Sequence, residues 1–113
     1  MNLSIDDVAA ARRFYGEVLG LEAIDRPTDA GRAGAWFRLG AVELHLSLES
    51  DADNARSKRH VAFEAIDADA LDALRARLVA AGAPVEDGRP MAGVRRFFAR
   101  DPAGNRLEYY VAI

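Results

Sequence analysis

Cysteine is absent from the 113 residues, which excludes disulfide stapling and thiolate chemistry by the chain itself. Packing alone must hold the fold, and any thiol in the chemistry comes from a substrate. Long apolar runs are missing too: none approaches the roughly 20 residues that cross a bilayer. The opening MNLSIDDVAA has neither the basic start nor the apolar core of a signal peptide. The expected compartment is the cytoplasm, with no membrane partner. Charge of one sign is scarce. Basic and acidic side chains number 15 and 18 and are mixed along the chain, for a net charge of -3, so no nucleic-acid surface is expected. A small-molecule ligand fits better.

Half of the residues are hydrophobic, enough for one core at this length, and residues 1–113 are expected to form a single domain. The pattern repeats once. Residues 2–5 alternate as a short strand, and Asp6 and Asp7 can cap a helix running to Val18 and Leu19, which Gly20 stops. A strand at Leu21–Ile24, a polar loop from Arg26 to Gly34, a strand at Ala35–Leu39, a turn at Gly40 and a strand at Val42–Leu48 complete a βαβββ module over about 1–49. Residues 50–58 carry no period and read as a linker. The same order restarts at about 59: strand His60–Ala65, helix Ala68–Ala81 ended by Gly82, then strands near Pro84–Glu86, Arg95–Ala99 and Arg106–Val111. The predicted class is α+β with two βαβββ modules.

Successive strand residues point to opposite faces. One set holds Leu3, Ile5, Phe37, Leu39, Val42, Leu44, Leu46, Val61, Phe63, Leu107, Tyr109 and Val111, an apolar face expected to pack on the helices. The other mixes titratable groups with large aromatics, among them Trp36, Arg38, Glu43, His45, His60, Glu64, Arg96, Phe98, Glu108 and Tyr110. That composition suits a pocket lining, although a solvated sheet face is the ordinary alternative.

Both histidines of the chain fall on this second face. Aligning the repeats puts His45 and Glu108 at matching places in the last strands of the modules, with His60 opening the first strand of the second. Two imidazoles and a carboxylate are a ligand set for a divalent metal such as Fe, Zn, Mn or Ni, with positions left open for substrate. The first-module counterpart of His60 falls at, or just before, Met1, so that ligand is missing from the chain. Three ligands can still hold an ion, or the pocket works without one.

The stretches AARRFYGEVLGL at 10–21, RHVAF at 59–63 and FARDPAGNRLE at 98–108 resemble the vicinal oxygen chelate superfamily. This group includes glyoxalase I, fosfomycin-resistance thiol transferases, extradiol dioxygenases and bleomycin-binding proteins. The resemblance covers nearly the entire chain and is more specific for fold than for reaction. It implies a curved mixed sheet around a cavity, a homodimer, and His60 and Glu108 as metal ligands, with His45 where such enzymes often carry glutamate. Phe14, Tyr15 and Leu19 read as core, and Asp101–Asn105 as turn chemistry. The loop Gly88–Val94 lacks the serine and lysine cluster expected for gripping a phosphonate, so that substrate is not assigned.

Two functions compete. In the first, a metal-dependent enzyme of lyase, isomerase, thiol transferase or dioxygenase type holds its ion with His45, His60 and Glu108. Glu64 or Glu43 moves a proton there, Trp36, Phe98 and Tyr110 shape the pocket, and Arg38 or Arg96 pairs with an anionic group. The second is a metal-free protein of the bleomycin-resistance kind that sequesters a planar drug or toxin. A purely structural role as a dimerising domain is a third, lesser reading.

Overall fold

Alternating apolar residues bounded by turns become strands throughout the chain, and the two aspartates placed to cap helices do so. The computed structural model describes residues 1–27, 31–50 and 53–113. Strands β1 (Asn2–Ile5), β2 (Glu22–Ile24), β3 (Gly34–Leu39) and β4 (Val42–Leu48) form one sheet in the order β1-β4-β3-β2. Strands β5 (His60–Glu64), β6 (Val85–Glu86), β7 (Val94–Arg100) and β8 (Arg106–Ala112) form a second sheet in the corresponding order β5-β8-β7-β6. In each, the first strand pairs parallel to the last and the remaining pairs are antiparallel. This is the two-module βαβββ architecture of the predicted α+β class.

Helix α1 (Val8–Arg12) starts at Asp7, whose carboxylate accepts from the Ala10 amide at 3.0 Å. Helix α2 (Ala68–Ala80) starts at Asp67, which accepts from Ala70 at 2.7 Å. After Arg12 the first helix widens into a π-helical segment, Arg13–Val18, closed by Leu19 donating to the Phe14 carbonyl. The wider turn keeps both Phe14 and Tyr15 in the core, at 5% and 0% exposure. Gly20 and Gly82, both at positive φ, end the helical stretches at equivalent places.

The strand faces turned to the helices make one core. Phe37, Leu44 and Leu46 join Ala11, Phe14, Tyr15 and Leu19, while Phe63, Phe97, Leu107 and Tyr109 join Leu71, Leu74 and Leu78. Leu39 and Val42 depart from the expected apolar face and are exposed, because they sit at the β3–β4 turn, at the far end of that pair's register. Val61 and Leu3 are only partly buried against the core.

The halves meet through polar side chains. Tyr15 donates its hydroxyl to Asp101 Oδ2 at 2.6 Å, and Arg77 Nε donates to the Val18 carbonyl at 3.1 Å. The amides of Asn54 and Asn105 both donate to the Ser4 carbonyl, at 2.9 and 2.8 Å. Asp101 also accepts from the Ala103 and Asn105 backbone amides, so the turn after β7 is itself the joint.

Candidate functional site

Strand register fixes which side chains share a face. Asn2 pairs with His45 in the first sheet and Ala62 with Glu108 in the second. The capping aspartates, Asp7 and Asp67, follow Asn2 and Ala62 at the same spacing. His45 and Glu108 therefore occupy equivalent places, and so do their antiparallel partners Trp36 and Phe98. The open face of each sheet carries an aromatic beside a metal-ligating residue type.

On the second sheet His60 and Glu108 come together: His60 Nε2 lies 3.1 Å from Glu108 Oε1. His60 Nδ1 lies 3.1 Å from the Lys58 carbonyl, an acceptor, so Nδ1 carries the proton and the neutral ring turns a lone pair toward the carboxylate. Lone pair facing carboxylate is repulsive unless a proton or a metal cation lies between them. Backbone anchoring of the other ring nitrogen is a common device for aiming a ligating imidazole. By donor chemistry and spacing, this pair fits a divalent ion.

His45 stands elsewhere. Its ring stacks on Trp36 at 3.6 Å, nearly coplanar, and its Nε2 lies 2.9 Å from Glu43 Oε1. Among the described residues no group of three His, Cys, Asp or Glu side chains gathers as a metal site. The expectation that His45, His60 and Glu108 share one hollow is therefore corrected for a single chain: the modules turn these residues into separate environments because His45 belongs to the other sheet.

The remaining expected site residues divide the same way. Trp36 is half-buried, while Arg38 and Glu43 are exposed on the first sheet. Arg96, Phe98 and Tyr110 line the second sheet, with Glu64 exposed beside Tyr110 in the register. Phe98 is only 4% exposed; it lies edge-on to His60 at 5.4 Å and beneath the guanidinium of Arg106 at 3.7 Å. Arg96 reaches Glu108 at 3.5 Å. Arg106, which pairs with Glu86 at 3.5 Å, had no expected role; its alternation with Glu108 on β8 was the available signal.

The sequence matches the Glyoxalase/Bleomycin resistance protein/Dioxygenase superfamily over residues 1–109. The chain belongs to this superfamily. The metallothiol transferase FosB of Shouchella clausii (strain KSM-K16) is 32% identical, over 97% of this chain and 76% of that relative. A glyoxalase family protein from Bacillus anthracis superposes with a TM-score of 0.86 at 31% identity, over 99% of this chain and 91% of that one. A mutant of the fosfomycin resistance protein FosX from Listeria monocytogenes shares the fold, with a TM-score of 0.85 at 19% identity, over 99% of this chain and 88% of that one. That FosX crystal contains Mn(II) and 1S,2S-dihydroxypropylphosphonic acid. Members of the glyoxalase superfamily thus include both metal-dependent transferases and proteins named for other chemistry. No helix among the described residues is long and apolar enough to cross a membrane.

Proposed function

We propose that this superfamily member is a metal-dependent enzyme acting on a small molecule in the cytoplasm, working as a homodimer. His60 and Glu108 of one copy and His45 of a second hold the ion. The observation that carries this reading is the His60–Glu108 pair, 3.1 Å apart with the imidazole anchored by the Lys58 carbonyl. Apposition of the first sheet of one copy and the second sheet of another supplies the third ligand. Glu43, bonded to His45 Nε2, would then leave Nδ1 free, a carboxylate–histidine arrangement common behind metal ligands.

A divalent ion in this place supplies Lewis acidity toward paired substrate oxygens. The protein's own groups do the rest. Glu64, exposed at the end of β5, takes or returns a proton, or Glu43 does so from the facing sheet. Phe98, Tyr110 and Trp36 exclude water and flank the substrate, and Arg38 and Arg96 hold its charge. Thiol transfer is the reaction type carried by the name of the 32% identical relative; with no cysteine in the chain, the thiol comes from a co-substrate.

Titration with Mn(II), followed by electron paramagnetic resonance, tests the ligand set. Wild-type protein is expected to bind, and His60→Ala, Glu108→Ala and His45→Ala to weaken binding by at least about tenfold. Unchanged affinity in His60→Ala and Glu108→Ala would refute the site.

The parallel stack of Trp36 on His45 favours a second reading, in which the metal-free protein sequesters a flat aromatic compound. Trp36 is the sole tryptophan, so its fluorescence reports on that surface. Quenching by planar cations such as bleomycin without added metal supports this reading; response to metal alone discards it.

A further inference from the structure

Cationic side chains crowd the second sheet beyond what its carboxylates neutralise. Lys58, Arg89, Arg96, Arg100 and Arg106 line a cleft of about 440 Å³ beside His60 and Phe98, with Glu86 the carboxylate in that lining. Arg100 is accounted for: its Nη1 donates to the carbonyls of Asn54, Ser57 and Gly104 at 3.0 to 3.2 Å.

Arg96 and Arg106 are not satisfied in that way. Their side chains are only 17% and 20% exposed, and each has its carboxylate contact at a loose 3.5 Å. Arg96 has one further bond, to the Arg89 carbonyl at 3.2 Å, and the Nε atoms of both are buried without an acceptor. Partial desolvation without full compensation is costly for a cation. Both guanidiniums are nevertheless held in place by the Phe98 ring, at 5.2 and 3.7 Å. The loop before β7 closes down on this group at Gly88, where an added Cβ would lie 2.6 Å from the Phe98 ring and 3.0 Å from Arg96 Nε.

We propose that Arg96 and Arg106, propped on Phe98, form an oxyanion clamp that takes a carboxylate or a phosphoryl or phosphonyl group of a small ligand. The clamp neighbours Glu108, and it deepens the proposed enzyme reading by naming a substrate class. Once Glu108 serves an ion, Arg96 loses its carboxylate and the cleft gains positive charge, so the demand for an anion rises. Guanidinium forks match oxyanions in geometry as well as charge.

The test uses the full-length, metal-free protein with inorganic phosphate and, separately, acetate, at ionic strength held constant with chloride. Arginine Nε–H signals in ¹H–¹⁵N spectra report binding directly. Saturable shifts of the Arg96 and Arg106 signals are expected, and whichever anion binds more tightly identifies the phosphoryl-type or carboxylate source. Arg96→Gln and Arg106→Gln are expected to weaken binding at least tenfold, and Gly88→Ala to weaken it by displacing Arg96. Arg13→Gln, on an exposed helical position, should leave binding unchanged. Arg106→Lys keeps the charge without the fork, and intermediate affinity in that variant supports the clamp even if a glutamine variant fails to fold. Shifts that rise linearly without saturation for both anions, or equal weakening by Arg13→Gln, overturn the proposal. Mn(II) titration of the same proteins separates the two claims: metal binding with no anion binding defeats the clamp alone, and anion binding with no metal binding defeats the metal site alone.

Discussion

Tyr15 sits at 0% exposure with its hydroxyl 2.6 Å from Asp101. Replacing it by phenylalanine keeps the packing and deletes one bond to a carboxylate, a loss of about 1.5–3 kcal/mol that chemical denaturation would measure. Asp101 retains its backbone partners, so the fold should survive. Burial pushes the phenols of Tyr15 and Tyr109 above their ordinary value, with Asp101 adding to the rise at Tyr15. A phenol raised in the folded state stabilises the fold below the unfolded pKa of about 10 and loses that contribution as pH climbs beyond it. Melting temperature is therefore expected to fall above about pH 10, and less steeply in Tyr15→Phe. Glycines give a sharper contrast. A Cβ at Gly34 would lie 1.9 Å from the Leu46 carbonyl oxygen, whereas one at Gly16 would meet Phe37 at an ordinary 3.5 Å. Gly34→Ala should cost about 3 kcal/mol or more, and Gly16→Ala should be neutral or stabilise by about 0.4–1 kcal/mol.

At the scale of elements, strand alternation was legible because each sheet buries one face. The expected strand Val42–Leu48 is the observed β4, and the others differ from expectation only at their ends. Both caps could be read from Asp7 and Asp67, and replacing Asp67 by alanine should cost about 1 kcal/mol, visible as a lowered melting temperature. The π-helical widening at Arg13–Val18 was not legible. A period of 3.6 already accommodates much of that segment, and adjacent Phe14 and Tyr15 demand a wider turn only once the core exists. Site residues were legible as a face and not as a cluster. Alternation puts His45, His60 and Glu108 on the open sides of strands, yet which sheets confront each other depends on how modules pair, which no local pattern encodes. Arg106 escaped notice for a related reason: its stacking on Phe98 is a cross-strand contact set by register.

For the whole molecule, the separation of His45 from the His60–Glu108 pair makes the proposed site depend on two copies. His45→Ala and Glu108→Ala homodimers should each be impaired in binding Mn(II), while unfolding and refolding them together should return wild-type affinity at one site of each mixed dimer. Failure of the mixture to regain any such site would argue against sharing between copies. The joint between the halves carries a different implication. The two sheets share no strand pair among the described residues, and the edge strand β1 is tied across by two asparagine amides converging on the Ser4 carbonyl. Such a fastening lets the halves tilt against one another like a jaw without breaking a ladder, so ligands of unequal girth can be gripped by one unchanged architecture.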